Sequence, residues 1–583
     1  MTPKVQRTVD TDVLILGSGG AGLFAALHAH QAATRAASPL SITVAVKGLL
    51  GKCGCTRMVQ GGYNVALAKE DSVERHFMDT IEGGKWLPDQ ELAWKLVTLA
   101  VERIHELENE LGCFFDRNPD GTVHQKAFAG QTFDRTVHKG DLTGIEIINR
   151  LAEQVWARDI QRLEEHRAVE LIKNASGDAI AGVLLIDMRT GEYLLVRAKA
   201  VLLATGGGPT MYKYHTPSGD KSCDGLAMAL RAGLPLRDME MVQFHPTGLL
   251  AGTHTRMTGT VLEEGLRGSG GYLLNGARQR FMPSYDERAE RATRDVVSRA
   301  MYSEMRHGAT TPHGGLYISM AHLGPERVRR EFKGMVERCA DCGFDLAGGL
   351  VEVVPTAHYM MGGVEFRADC TTHLAGLFVA GEDSGGVHGA NRLGGNGVAN
   401  STVFGAVAGD AIAGWMRGRA FADPDAAAID AAIAACERPF GRPAGSRGSL
   451  ERLREKLYDT MWERVGIIRD APGLKRAQEE LAALDAELDA HGLSDADRAF
   501  NLTWHDWMNL KSLVSVSRVI AAAALAREDS RGAHFRSDFP ETGPLESSSY
   551  TSVRGSPAGL ALAMKAVAFT RVRPGQSLLK DAA

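Results

Sequence analysis

The stretch TDVLILGSGGAGLFAA, from Thr11 to Ala26, passes from an apolar run into closely spaced glycines and then into small residues. This order predicts a buried strand, a tight turn and a helix. Gly17, Gly19 and Gly22 have the G-x-G-x-x-G spacing that permits a sharp turn, close approach of a pyrophosphate and tight packing of helix on strand. The helix N-terminus would present free N–H groups to the phosphates. We therefore predict a dinucleotide-binding unit here, rather than a glycine-rich turn in an ordinary α/β sheet.

The second strand of this unit lacks the acidic residue that usually binds the adenosine ribose. It reads SITVAV over residues 41–46 and ends at Lys47, and no Asp or Glu occurs between Asp12 and Glu70. A standard NAD site uses that acid. The pattern therefore favours a flavin protein that recognises its ribose in another way.

Composition argues against several classes of protein and site. The net charge of −5 leaves no basic footprint for nucleic acid, and no run reaches the ~18 uninterrupted apolar residues of a membrane span. No signal-peptide core precedes the first strand. Eight cysteines include two close pairs, Cys53 with Cys55 and Cys339 with Cys342, which do not make a four-ligand metal site. We expect a soluble, cytoplasmic protein without a metal, a nucleic-acid partner or a transmembrane segment of its own.

Changes in pattern divide the chain into five segments. Residues 1–247 and 358–420 form the two parts of one domain, because buried strands followed by glycine turns recur in both. An acid, Glu382, follows the last of these strands, and the combination is typical of FAD binding. The remaining segments are an inserted capping domain (248–357), a helical domain (435–545) and a loop-rich tail with short strands (546–583). The predicted fold class is α/β, with a Rossmann-like FAD-binding domain, an inserted α+β capping domain and a C-terminal helical domain.

Six motifs follow one another along the chain. They are Gln243-Phe-His-Pro-Thr-Gly248, Glu264-Gly-Leu-Arg-Gly268, Arg294-Asp-Val-Val-Ser298, His358-Tyr-Met-Met-Gly-Gly363, His388-Gly-Ala-Asn-Arg-Leu-Gly394 and Ser530-Arg-Gly-Ala-His534. In this order they closely resemble the flavoprotein subunits of succinate dehydrogenase and fumarate reductase, and the related L-aspartate oxidases, over nearly the whole chain. The resemblance implies an FAD-dependent oxidoreductase that transfers hydride between flavin N5 and a small carboxylic acid.

The resemblance also implies roles for six residues. Arg294 would donate or accept the proton, with Glu264 and Arg267 as its relay, and the substrate carboxylates would contact His245, His358 and Arg392. Arginine suits such a substrate, because its rigid fork of donors matches a carboxylate. An arginine with its usual pKa above ~12 is a poor acid, so burial among other cations would have to lower that pKa. Without the motif, Arg294 would be interpreted as a salt bridge to Asp295 or Glu290.

The contacts of FAD are implied in the same way. Gly17, Ser18, Gly19 and Gly22 would hold the pyrophosphate, and Lys47 would lie near the adenosine ribose. The isoalloxazine would be lined by Thr56, Gln60, Gly61 and Gly62. The remaining implied residues belong to the second cofactor strand and its turn, the ribityl chain and the pyrimidine end of the flavin, and they are Ala204, Thr205, Gly206, Asp224, Glu382, Asn396 and Val398.

Two residues depart from the family pattern. Cys55 stands where respiratory members carry the His that bonds covalently to the flavin, so we predict non-covalent FAD. Glu263 stands where the family usually has a Thr that touches a substrate carboxylate. An ionised Glu263 would repel an acidic substrate. The far end of the substrate is therefore predicted to be neutral, amino-bearing or a hydrogen-bond donor, unless Glu263 is protonated or turned away.

Three functional interpretations remain open from the sequence. The first is an oxidoreductase acting on the CH–CH or CH–NH bond of a small carboxylic acid. The second is an amino-acid oxidase like L-aspartate oxidase, in which Glu263 would pair with an ammonium. The third is an assembly subunit that docks an iron–sulfur electron-transfer protein and does little alone, and such a partner could place the chain peripherally at the inner face of a membrane.

Overall fold

The computed structural model describes residues 4–252, 255–443, 445 and 448–579, which contain eighteen strands and fourteen α-helices. The strands are β1 (Val5–Leu16), β2 (Ile42–Val46), β3 (Tyr63–Asn64), β4 (Gln125–Lys126), β5 (Thr136–Val137), β6 (Gln161–Glu164), β7 (His166–Lys173), β8 (Ile180–Asp187), β9 (Tyr193–Leu203), β10 (Leu236–Arg237), β11 (Val242–Leu249), β12 (Tyr272–Leu274), β13 (Leu316–Ser319), β14 (Val351–Met360), β15 (Gly363–Val364), β16 (Leu377–Val379), β17 (Ser549–Ser556) and β18 (Gly559–Ala566). The helices are α1 (Gly20–Arg35), α2 (Val73–Gly83), α3 (Gln90–Asn109), α4 (Thr143–Trp156), α5 (Asp224–Arg231), α6 (Gly265–Gly268), α7 (Arg294–Arg306), α8 (Pro325–Glu331), α9 (Lys333–Asp341), α10 (Asn396–Trp415), α11 (Ala426–Glu437), α12 (Ser449–Arg464), α13 (Ala471–Ala490) and α14 (Leu502–Ala526).

The predicted nucleotide-binding unit is a seven-stranded sheet. Its strand order is β6-β2-β1-β9-β8-β7, and β16 also pairs with β9. Strands β1, β9 and β16 are parallel, with Leu16 opposite Leu203 and Leu203 opposite Val379. Because parallel strands end at the same edge, the glycine turns after all three lie together, and this edge is where α/β sheets bind ligands. Strand β9 runs without interruption through 11 residues to this edge.

Helices α1 and α10 pack closely on one another behind this edge. A Cβ at Gly405 would lie 2.7 Å from the carbonyl oxygen of Ala21, and one at Gly409 would lie 2.5 Å from that of Ala25. Glycines and alanines at the crossing therefore allow the two backbones to approach. The contact aims both helix N-termini at the same region.

The inserted segment folds around an antiparallel sheet of its own, with strand order β11-β14-β13-β12. Its apolar core contains Leu273, Met301, Ile318 and Val353, among others. Both expected boundaries of the capping domain, at 247/248 and 357/358, fall inside paired strands, since β11 and β14 run from the nucleotide-binding part into the insert. The division of the chain at these positions stays a prediction.

The C-terminal part combines helices with a hairpin. Helix α14, with Trp504 fully buried, forms the core against α12 and α13. In the part of the chain that the structure describes, α14 is the helix long and apolar enough to cross a membrane, but 67% of its apolar window is buried inside the molecule. The tail after residue 545 is more ordered than expected, because β17 and β18, of eight residues each, form a hairpin and β17 pairs with β10.

Candidate active site

Two adjoining cavities form one elongated cleft at the carboxyl edge of the seven-stranded sheet. One cavity follows the first glycine turn, and the other reaches Glu264, Arg294 and Arg392. The residues that line both cavities are Gly19, Ala204, Gly206 and Lys221. The cleft therefore runs from the nucleotide end of the sheet to the inserted segment.

The glycine turn has the geometry that its spacing predicts. Gly17 has φ +109°, and a Cβ there would lie 2.1 Å from the carbonyl oxygen of Ala204. A Cβ at Gly22 would lie 2.0 Å from the carbonyl oxygen of Gly17, so Gly22 packs helix on turn and does not line the cleft. Gly17, Ser18 and Gly19 do line it. At Gly17 and at Gly22, any residue with a Cβ would force the neighbouring backbone to shift.

The far end of the nucleotide cavity is held by charged side chains. Lys47 Nζ donates to Asp224 Oδ2 at 2.9 Å, and Arg167 donates to Asp224 Oδ1 at 2.7 Å. Although burial opposes ionisation, Arg167 and Lys47 hold the pKa of Asp224 below its usual range. Lys47 was expected near the adenosine ribose and Asp224 at the turn of the second cofactor strand, whereas nothing in the sequence pattern singled out Arg167.

Most of the other residues expected to contact FAD line the cleft. They are Thr56, Gln60, Gly61, Gly62, Ala204, Thr205, Gly206, Glu382 and Val398. Asn396 does not, because its side chain is buried in bonds to Asn64, His76 and Thr80. Its place at the start of α10 gave no indication of this orientation.

A line of buried charges enters the cleft from the inserted segment. Arg267 donates to Glu264 Oε1 at 3.1 Å, and Arg294 donates to Glu264 Oε2 at 2.6 Å. Although burial raises it, the pKa of Glu264 is held below its usual range by Arg294 and Arg267. Arg294 also donates to Gln243 Oε1 at 3.1 Å, and Gln243 belongs to the first quoted motif.

The two carboxylates that could have formed a purely structural salt bridge with Arg294 pair with other residues. Glu290 pairs with Arg280, and Asp295 lies 3.6 Å from Arg299. Within the described residues, the ion pair of Arg294 is with Glu264. The side chain of Arg294 therefore pairs with Glu264 rather than with its neighbours in the chain.

His245, His358 and Arg392 converge on the same cavity. The two imidazole rings lie 5.4 Å apart, and Thr216 Oγ1 lies 2.7 Å from His358 Nδ1. Burial and the neighbouring arginines lower the pKa of both histidines far below the usual value, so they are neutral near pH 7. Burial, with Arg294 nearby, lowers the pKa of Arg392 to about 10. The pocket thus combines guanidinium groups with neutral hydrogen-bonding rings.

Glu263 lines the cavity, and its carboxylate contacts Lys126, which no sequence pattern singled out. Lys126 lies on β4, far from Glu263 in the chain. The negative charge expected to face the substrate is therefore balanced by an ammonium.

Cys55 also lines the cleft, at the position of the family's linking histidine. Burial raises the pKa of its thiol to about 12. The thiol is therefore protonated near pH 7, and the thiolate is the nucleophilic form of cysteine.

The residues present fit FAD. The elongated cleft begins at a glycine turn that leaves no room for a Cβ, and the N-terminus of α1 follows it. Buried polar atoms also face the flavin end without a protein partner among the described residues, including Gln60 Oε1. Such atoms are satisfied when a polar ligand is bound.

Comparison with known proteins identifies the family. A profile described as the FAD binding domain matches residues 12–398, and one described as the fumarate reductase flavoprotein C-term matches residues 454–578. An uncharacterized FAD-dependent oxidoreductase of Methanocaldococcus jannaschii is 39% identical, covering 91% of this chain and 94% of its own. One subunit of the fumarate reductase (CoM/CoB) of Methanothermobacter marburgensis is 39% identical, covering 92% of this chain and 95% of its own.

A solved structure agrees. A mutant of Escherichia coli quinol fumarate reductase FrdA aligns with a TM-score of 0.90 at 31% identity, covering 98% of this chain and 99% of that chain. The predicted fold class, cofactor and enzyme class are confirmed. The chain therefore belongs to the succinate dehydrogenase and fumarate reductase flavoprotein family, and it is an FAD-dependent oxidoreductase.

Proposed function

We propose that the protein interconverts an unsaturated and a saturated four-carbon dicarboxylate, the chemistry of fumarate and succinate. The observation that carries this proposal is the buried line Arg267–Glu264–Arg294, which ends in a cavity shared with His245, His358 and Arg392. A cavity with two guanidinium groups and two neutral imidazoles suits an anionic substrate. Bound FAD supplies the two-electron chemistry by exchanging a hydride with one of the central carbons.

The residues divide the remaining work between binding and proton transfer. Arg392 offers a fork of donors to one carboxylate, and the neutral rings of His245 and His358 add hydrogen bonds. In reduction, Arg294 gives a proton to the carbon next to the one that gains hydride. The ionised Glu264 carboxylate then accepts a proton from Arg267 and passes one to Arg294, and one proton from water restores Arg267 at the end of each turnover. This order is supported by the two hydrogen bonds that Glu264 accepts.

The argument for an amino-acid oxidase no longer holds. It required Glu263 to be available for a substrate ammonium, and Lys126 already pairs with that carboxylate.

We also propose that an iron–sulfur protein supplies the electrons, as the family resemblance implies, and that the chain is peripheral to a membrane only through such a partner. Co-purification from cells that express the tagged chain tests the existence of that partner.

The reaction is tested with the purified holoenzyme under anaerobic conditions. After reduction by dithionite or a reduced viologen, we expect fumarate to restore the absorbance of oxidised flavin, with succinate as product. Failure of every dicarboxylate to re-oxidise or bleach the flavin would contradict the proposal. Peroxide formed from L-aspartate in air would favour the oxidase instead.

We propose further that FAD is bound without a covalent link, because a protonated, buried Cys55 is not a nucleophile at neutral pH. Acid precipitation should leave yellow FAD in the supernatant. A flavin-bearing peptide that contains Cys55 in the pellet would show a thioether and contradict the prediction. Cys55→Ser is the matched control and should release its FAD in the same way.

A further inference from the structure

Lys126 and Glu263 form an ion pair across the cleft. Lys126 lies on β4, in the small sheet with strand order β3-β5-β4, whereas Glu263 precedes α6 in the inserted segment. Among the ion pairs of the described residues, this is the one that joins residues 250–350 to residues 1–240. The side chains are 8% exposed for Glu263 and 20% for Lys126, so water screens the pair poorly.

The two partners stand in different relations to the cavity. Glu263 lines it, next to the relay residue Glu264, whereas Lys126 lies behind Glu263 and does not line it. An uncompensated carboxylate in this wall would face an anionic substrate, and like charges in such proximity cost several kcal/mol. Lys126 therefore acts on the substrate through Glu263.

We propose that Lys126 is a positioning residue that sets specificity, because its ammonium neutralises Glu263 and so lets the cavity accept a substrate with two carboxylates instead of one. This inference rests on the proposed function. It also reverses the expectation that Glu263 requires a neutral or amino-bearing far end on the substrate.

The charges around Glu263 agree with this role. Burial raises the pKa of Glu263, Asp141 and Glu264 raise it further, and Lys126 opposes all three. Lys126, Asp141 and Glu264 are the charged groups that affect the pKa of this carboxylate most. Without Lys126, the Glu263 carboxylate would repel a dianion when ionised and would become harmless on protonation.

The test compares fumarate with its monomethyl ester, which has one carboxylate. In Lys126→Met we expect the KM for fumarate to rise ~10- to 100-fold, with kcat little changed and the KM for the ester within ~3-fold. The fumarate KM of this variant should fall as the pH is lowered, because Glu263 becomes protonated. Adding Glu263→Gln to Lys126→Met should restore the KM and remove this pH dependence.

Two controls separate charge compensation from a structural effect. Lys139→Met removes a nearby lysine that pairs with Asp116 instead, and it should leave the fumarate-to-ester ratio unchanged. Lys126→Arg should retain wild-type discrimination. If Lys126→Met does not fold, Glu263→Gln alone gives the test from the other side, since the freed ammonium should lower the fumarate KM and not that of the ester.

The outcomes distinguish this inference from the proposed function. A wild-type enzyme that uses neither compound overturns both. A wild-type enzyme that uses fumarate, with equal KM changes for the two compounds in Lys126→Met or without rescue by Glu263→Gln, overturns the specificity role of Lys126 alone.

Discussion

At the scale of single residues, Glu264 organises the site. Each of its two oxygens accepts from a different arginine, so the carboxylate is ionised and fixed between Arg267 and Arg294. Breaking a buried pair from one side leaves an uncompensated charge, which costs more than the pair contributes. A substitution here can therefore disturb the fold as well as the reaction, so both turnover and FAD content need to be measured.

Arg294→Gln should keep FAD and lose most turnover. The amide has no proton to give at that position, and loss of a positioned proton donor typically lowers kcat ~10²- to 10⁴-fold. Bound FAD is measured by absorbance after gel filtration, and kcat by oxidation of a reduced viologen with fumarate. Arg306→Gln, at the exposed end of the same helix, is the control and should be nearly silent. Near-normal kcat in Arg294→Gln would make Arg294 a structural residue.

At the scale of elements, the crossing of α1 and α10 places the cofactor cleft. Gly405 and Gly414 lie in the same helix, but a Cβ at Gly405 would meet Ala21 of α1 and one at Gly414 would meet nothing within 4 Å. Gly405→Ala should therefore destabilise the fold by ~1–3 kcal/mol through overpacking. Gly414→Ala should be neutral or stabilise by up to ~1 kcal/mol through helix propensity. Thermal melts of both holoproteins measure this, and equal shifts would show that the crossing tolerates a methyl group.

His28 ties the same two helices to α3. Its ring contacts Glu106 at 3.0 Å and Asp410 at 3.2 Å, and Arg103 lies 3.1 Å from its Nε2. Although burial opposes it, these two carboxylates raise the pKa of His28 above its usual value. A raised pKa in the folded state gives stability that is present below the unfolded value of ~6.5 and lost as the pH rises through the folded value.

His28→Gln should consequently lose more stability in acid than in alkali. The expected cost at pH ~6 is about 1.5–3 kcal/mol, as for buried hydrogen bonds to charged groups, and it should shrink towards pH ~9. Denaturant unfolding of both proteins at the two pH values gives the difference. A difference independent of pH would mean that His28 is neutral in the folded protein.

At the scale of the whole molecule, the C-terminal hairpin is part of the fold. Thr551 of β17 donates to Glu240 Oε2 at 2.7 Å, and Arg527 donates to Glu240 Oε1 at 2.6 Å. Glu240 is completely buried, so it depends on both donors. The strand also pairs with β10, next to the chain that leads into β11.

Deletion of residues 546–583 should cost more than ~4 kcal/mol, because it leaves Glu240 under-satisfied and removes β17, one of the two strands that pair with β10. We expect loss of soluble protein or a large fall in Tm. Leu562→Ser, on the exposed face of β18, is the control and should stay within ~0.5 kcal/mol of the wild type. A truncated protein with an unchanged Tm would show that the hairpin is an appendage.

Part of this organisation was predictable from local patterns. The strand–glycine–helix unit and the C-terminal helical domain follow from hydrophobic period and glycine spacing, which act between near neighbours. The bounds of the inserted segment were harder to predict from the sequence, because β11 and β14 continue across them in one sheet. The tail was predicted to be loop-rich because prolines are a signal that can be read locally. The pairing of β17 with β10 joins distant parts of the chain and leaves no local signal.

The sequence by itself determined the fold class, the cofactor and the residues of the motifs, because each of these depends on residue types at fixed short spacings. Tertiary structure alone decided the partners. Lys126 meets Glu263 across 137 residues, Arg167 reaches Asp224 from another strand, and Asn396 turns away from the flavin end. Such contacts arise from the packing of distant elements, and a charge pair of this kind has no spacing rule. The predicted repulsion at Glu263 was therefore correct chemistry for a lone carboxylate, and the fold places the ammonium of Lys126 beside it.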